Sequence, residues 1–304
     1  MYSKLTFLKH IQMKQLIDKN TIKLLRIPFS FFLMPIFLLA LSQSGQQITS
    51  FNVIVSFCIM HLLVYPSSNG YNSYIDKDEE SIGGLEKPPM ATKKLYYLTL
   101  IMDALAILFA VIFISSLFAA CIFLYMLASR AYSSKEIRLK KYPYIGFFIV
   151  ILFQGAFTYY MCYAGIADHG LELNGTVLYL LLASSFQIAG AYPLTQIYQH
   201  QQDLKDGVVT ISYKLGYIGT FIFSGLMFVI TTILYLLNFN ASNQLNQFYI
   251  IQIFFLPIVI YYFYWFIKVL KNKNEANFKH TMLMNVIAST CMSSCFMVLY
   301  FINN

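Results

Sequence analysis

Two short stretches gather side chains suited to chemistry with a metal ion and a phosphate. In NSYIDKDEESIGGLEKPP, Asn72, Asp76 and Glu80 stand four apart, and in YQHQQDLKDGVVTISYKLG, Gln199, Asp203 and Asp206 follow at spacings of four and three. Residues so spaced lie along one face of a helix, where their oxygens converge and like charges repel. A cation held between them reverses the sign of that interaction. Oxygen-only ligands favour a hard ion such as Mg²⁺, which shares carboxylates with substrate phosphates. For Asp78, Glu79 and Glu86 the plainer reading is solvated surface.

These stretches must be positioned by a very apolar chain. Of its 304 residues 58% are hydrophobic and only 11% are charged, far below the quarter usual in soluble domains. Runs near twenty residues read as membrane-spanning helices, and nine are expected, at 27–43, 50–69, 95–112, 113–131, 144–163, 176–197, 217–237, 248–267 and 281–302. The third and fourth abut around Ile112 and Ile114. None alternates as a barrel strand would. The expected fold is an all-α polytopic membrane protein, one nine-helix domain over 1–304, with loops 70–94 and 198–216 carrying the acidic motifs. Residues 1–25 form a basic arm without the uncharged core of a cleavable signal peptide, and read either as an interfacial amphipathic helix or as a tail. The five Cys show no ligand spacing and read as small apolar residues.

Charge placement gives the helices a direction. Segments 1–26, 70–94, 132–143, 198–216 and 268–280, with Arg130 at the end of the fourth helix, hold all 21 Lys and Arg residues. The loops on the other side hold none. By the positive-inside rule this places the amino terminus and both acidic loops in the cytoplasm and the carboxyl terminus outside. The net charge of +8 then reads as an affinity for anionic membrane lipids and not as a nucleic-acid footprint.

The acidic stretches resemble a known family. NSYIDKDEE is similar to the first aspartate-rich motif of the UbiA superfamily of intramembrane prenyltransferases, an Asn followed by Asp four and eight positions on. DLKDGVVTISYKLG resembles part of the second, through Asp203, Gly207, Thr210 and Leu215-Gly216. RAYSSKEIRLKKYP, with Tyr132, Ser133, Arg138, Leu139 and Lys140, is similar to a segment of the chlorophyll and polyprenyl-quinone synthase branch, and RIPFSFFLMP to the start of that branch's first helix. The resemblance implies nine transmembrane helices around a central cavity, with the motifs after helices two and six.

It also implies Mg²⁺-dependent transfer of a prenyl group from its diphosphate to a lipid-soluble acceptor, with diphosphate released. Asp76, Asp203 and Asn72 would be catalytic. Together with Glu80 they would hold the metal, with Gln199 and Asp206 as further candidates. Arg138, Arg130, Lys140, Lys77 and Arg26 would meet the diphosphate. This sequence departs from the family at Gln199, where the second motif begins with Asp, and at Glu80, a longer acid. Asp206 and His200 are the neighbours that could compensate. Asp103, within the third helix, is a candidate for the acceptor site or a partner for Ser or Thr on another helix. Alternatives are a prenyl diphosphate cyclase of the same fold, or a noncatalytic lipid-binding or assembly protein. No obligate protein partner is evident, and the expected location is a bacterial inner membrane.

The orientation is directly testable. Reporter fusions at Glu136 and Lys205 should both report the cytoplasm and one at Asn243 the outside; opposite sides for Glu136 and Lys205 would separate the two acidic loops.

Overall fold

The structure, a computed structural model, describes residues 18–45, 49–167, 170 and 172–304. Most of the basic arm, and with it the choice between interfacial helix and tail, lies outside the described residues. Among the described residues nine helices are long and apolar enough to cross a membrane: α1 (Lys19–Ser42), α2 (Ser50–Asp76), α3 (Lys93–Phe113), α4 (Ser116–Ser133), α5 (Pro143–Ala167), α6 (Gly175–Gln196), α7 (Ile211–Ala241), α8 (Leu245–Lys271) and α9 (Phe278–Asn303). No strand occurs among the described residues. Neighbouring helices pack in sequence, and α9 returns to pack on α1, enclosing a core rich in Phe, Tyr and Leu.

Short polar residues start these helices. Asp18, Thr49, Ser115, Asn174, Thr210 and Asn277 each accept a hydrogen bond from a backbone amide three residues on, satisfying an orphan donor of the first turn. Ser115 settles the least legible boundary in the sequence, because its cap starts α4 directly after α3 ends. The outward faces, such as Ile253, Leu256 and Ile260 on α8, are exposed apolar side chains suited to lipid. Cys121, Cys162 and Cys295 are buried free thiols.

Three local irregularities shape the end of the bundle that carries the acidic motifs. In α2 a π-helical stretch, Ile59–Val64, precedes Pro66; the wider turn accommodates the missing proline N–H. Helix α2 then continues beyond the expected limit of 69 and stops at Asp76, where Lys77 takes a left-handed conformation at φ 54°. In α5 the π-helical stretch Leu152–Ala156 contains Gly155, whose close approach to α6 leaves no room for a side chain: a Cβ there would lie 2.5 Å from Ser185 Cα. Helix α7 bends at Gly216, φ 66°, a conformation that suits glycine. The segment between α2 and α3 folds back over the start of α1, where Arg26 donates hydrogen bonds to the carbonyls of Gly83 and Asn69.

Candidate functional site

A cavity of about 620 Å³ runs into the bundle from its acidic end. At its mouth stand Asn72, Asp76, Asp78, Lys140, Asp203 and Asp206, with Arg26, Tyr198 and Gln199 beside them. Farther in, the wall becomes apolar, with Phe153, Ile188, Phe228, Phe255, Ile258 and Met292. Such a volume lies within the ~300–1,000 Å³ of small-molecule sites.

Asp76 is the last helical residue of α2, and its side chain is only 5% exposed. Its Oδ2 accepts a hydrogen bond from Asn72 Nδ2 at 2.8 Å and an ion pair from Lys140. Asn72 also donates to Ser133 Oγ on α4 at 3.1 Å. The other carboxylate oxygen, Oδ1, is buried with no hydrogen-bond partner among the described residues. A buried carboxylate oxygen without a partner is costly.

The spacing argument extends correctly only as far as Asp76. Because Lys77 ends the helix, Glu80 does not continue the face that carries Asn72 and Asp76. Instead its half-exposed carboxylate pairs with Lys205 at 2.8 Å, a surface contact worth about 0–1 kcal/mol. Asp78 turns into the cavity, although the sequence reads it as solvated surface. Burial, then the nearby Asp76 charge, raises its pKa to about 6, against the opposing pull of Lys140 and Arg26.

Across the mouth, a short helix at His200–Lys205 presents Asp203. Burial is the main cause that raises its pKa to about 7; Lys140 opposes this, and Asp78, Asp76 and Asp206 add to it. Asp206 accepts from Gln202 Nε2 at 3.2 Å. Gln199 donates to the Ser81 carbonyl at 3.3 Å, tying the two acidic segments together. His200 is buried away from the cavity lining, bonded to Ser212 and stacked on Tyr217.

The cations divide into those at the mouth and those spent elsewhere. Lys140 and Arg26 line the cavity. Arg138 lies at its border, donating to the Asp206 carbonyl at 3.4 Å, while Lys77 is exposed. Arg26, Lys77 and Arg138 all have positive φ, which is uncommon outside glycine and seen at strained functional positions. Arg130 is engaged inside the bundle: it pairs with Asp103, contacts Ser67 and Thr99, and lies 3.9 Å over the Tyr71 ring. Asp103 also takes a hydrogen bond from Ser67. Neither lines the cavity, so the geometry lends no support to Arg130 at the phosphates or to Asp103 at an acceptor. A partly buried ion pair between two membrane helices is its own sufficient reason for both residues.

The donor chemistry of the mouth is that of hard-cation ligands. Among the described residues no three His, Cys, Asp or Glu side chains stand close enough to hold an ion alone. Oxygen donors on Asp76, Asp78 and Asp203, and the orphaned Oδ1, nevertheless suit a hard ion that completes its shell with ligand phosphate oxygens. Sequence reasoning missed Asp78, because the left-handed Lys77 that redirects it leaves no mark in the side-chain spacing. It also missed the paired hydroxyls of Tyr132 and Tyr192 at the cavity wall.

The sequence model described as the UbiA prenyltransferase family matches residues 32–287. No curated protein is significantly similar in sequence. Among solved structures, a UbiA homologue from Archaeoglobus fulgidus bound to GPP and Mg²⁺ is similar at TM-score 0.66 and 15% identity, covering 93% of this chain and 100% of that one. A UbiA homologue from Aeropyrum pernix K1, without ligand, is similar at 0.64 and 15%, covering 90% and 98%. A structure from work on the biosynthesis of digeranylgeranylglyceryl phosphate synthase in membranes is similar at 0.61 and 18%, covering 93% and 98%.

The raised carboxyl pKa values give a pH dependence of definite sign. Asp78 and Asp203 bind protons up to about pH 6 and 7 and must lose them to accept a cation. Mg²⁺ affinity, read by isothermal calorimetry, should therefore rise from pH 5 to pH 8, and Asp203→Asn should flatten that rise.

Proposed function

The chain belongs to the UbiA prenyltransferase family, and on that premise we propose that it transfers a prenyl group from a prenyl diphosphate to a lipid-soluble acceptor. One observation carries the reading: a single cavity joins a mouth of carboxylates and cations to an apolar interior. A prenyl diphosphate has the matching halves, a polyanionic head and a hydrocarbon tail. Structures of similar fold that hold GPP or DMAPP with Mg²⁺ support the same assignment.

Asp76, Asp78 and Asp203, with Asn72, would hold Mg²⁺ against the diphosphate; Glu80, Gln199 and Asp206 are the family-derived or neighbouring positions of lesser weight. Mg²⁺ supplies compensation for the negative charge that grows on the leaving diphosphate. Lys140, held at the mouth by Asp76, and Arg26, fixed by two backbone carbonyls, add positive charge to the same oxygens. Arg138 borders that region. As the C1–O bond breaks, the diphosphate leaves with the bonding electrons, and an allylic cation forms at C1. The apolar wall excludes water, and aromatic faces such as Phe153 and Tyr132 can stabilise the cation. The acceptor nucleophile then bonds to C1. The Lys and Arg distribution supports a mouth that faces the cytoplasm, and the Arg138-Leu139-Lys140 segment supports kinship with the chlorophyll and polyprenyl-quinone synthase branch.

Gln199 favours one second reading, a lipid-binding protein that has lost catalysis. Its neutral amide stands where the family has Asp and is spent on Ser81. Diphosphate release from geranyl diphosphate, Mg²⁺ and acceptor lipids extracted from the native membrane separates the two. Asp76→Ala and Asp203→Ala should each lower turnover ~100-fold or more, and Asp78→Ala should lower it in the same direction. Glu80→Ala, which removes a surface pair, should stay within ~3-fold. Gln199→Asp should raise turnover or tighten the Mg²⁺ dependence. Release without added acceptor, with a cyclic terpenoid as the organic product, would identify the cyclase, and binding with no release, unchanged in Gln199→Asp, would establish the lipid-binding protein.

A further inference from the structure

We propose that Gln154, Gln187 and Asn285 form a second, charge-free polar subsite deep in the cavity, which binds a neutral carbonyl or hydroxyl oxygen of the acceptor. They belong to α5, α6 and α9, and all three line the cavity. Counted along their helices from the acidic end, they lie ~16, ~14 and ~10 Å in, at 1.5 Å per residue. That depth is well below the carboxylates and within the apolar layer.

Each amide faces the cavity with hydrogen-bonding capacity unspent. Gln154 sits in the π-helical stretch of α5, which Ser185 fixes by accepting from Ala156 N at 3.0 Å and donating to the Ile151 carbonyl at 2.9 Å. The side-chain amides of Gln154 and Asn285 make no hydrogen bond to any described residue. Gln187 is only 8% exposed, and its Oε1 accepts from the Tyr235 hydroxyl at 3.0 Å. That bond sets the amide plane and leaves Nε2 without a protein partner. By contrast the hydroxyls of Thr231 and Thr232, also on the wall, donate to carbonyls of their own helix. Unpaired amides in an apolar enclosure are costly, so a ligand oxygen that meets them is bound at a gain.

The chemistry of the subsite selects the ligand. The cavity's cations, Arg26 and Lys140, stand at the mouth, and among the described residues no Lys or Arg lines the interior. A carboxylate or phosphate at this depth would be an uncompensated buried charge, whereas amide N–H groups match a neutral oxygen. An acceptor that carries a carbonyl or hydroxyl on an apolar frame is thus favoured over an anionic one. Only the word acceptor rests on the prenyl-transfer reading; the subsite stands on its own geometry.

Trp265 is the single tryptophan of the chain and lines the same cavity, so quenching of its fluorescence reports occupancy. The neutral probe 1,4-naphthoquinone should quench saturably, and the anionic probe 2-naphthoate should not. Gln154→Leu and Asn285→Leu should each raise the naphthoquinone Kd ~5–10-fold, the loss of about one hydrogen bond. Calorimetric binding of geranyl diphosphate with Mg²⁺ should stay within ~2-fold in both variants. An unchanged naphthoquinone Kd in the double variant, equal binding of 2-naphthoate, absence of saturable quenching, or joint loss of both ligands would each overturn the subsite. Failure of the wild-type chain to bind geranyl diphosphate, with the naphthoquinone results as expected, would instead overturn prenyl transfer and leave the subsite standing.

Discussion

Carboxylates gathered at the mouth of an apolar cavity repel one another, and the low dielectric behind them magnifies the cost. The rest of the site is organised around that constraint. Asp76 is offset by Lys140 and Asn72 on one oxygen only, and the other is left bare. Burial first, and then the neighbouring carboxylates, raise the pKa of Asp78 to about 6 and of Asp203 to about 7. The mouth is therefore short of positive charge, and under the proposed function a divalent cation carrying a phosphate ligand would relieve the shortage.

Helix ends, more than helix faces, put these groups in place. Helix α2 delivers Asn72 and Asp76 along one face and then stops at a left-handed lysine, so the next acids leave the helix in different directions. Asp78 turns inward and Glu80 outward to Lys205. Bonds from Arg26 to Gly83 and from Gln199 to Ser81 hold the two acidic segments over the mouth. The exposed Glu80–Lys205 pair adds little to that hold. The ion pair between Arg130 and Asp103 lies within the bundle and fixes α3 against α4.

The bundle was legible in the sequence because lipid imposes length and apolarity on every span. Boundaries were less so: the split between α3 and α4 depends on one serine cap, and α2 outruns its apolar stretch because polar residues extend it to Asp76. Within the site, Asn72, Asp76 and Asp203 were readable from type and spacing. Asp78 was not, since a backbone angle at Lys77 decides it, and Glu80 was misplaced by assuming that the helix continued. Arg130 and Asp103 looked like ligand groups because a membrane charge draws a functional reading, but each is the other's partner. The deep amides of Gln154, Gln187 and Asn285 carry no spacing that links them in the sequence; only the fold brings their three helices to one cavity.

The central claim is that the mouth lacks the positive charge that a metal ion and its phosphate ligand jointly satisfy. Calorimetric titration of geranyl diphosphate into the purified chain, with Mg²⁺ and with the metal chelated, tests it most directly. Saturable binding at one site per chain is expected with Mg²⁺, weakened at least ~10-fold without it. Equal affinity in the two conditions would contradict the claim, because the carboxylates would then have no cation to share with the diphosphate.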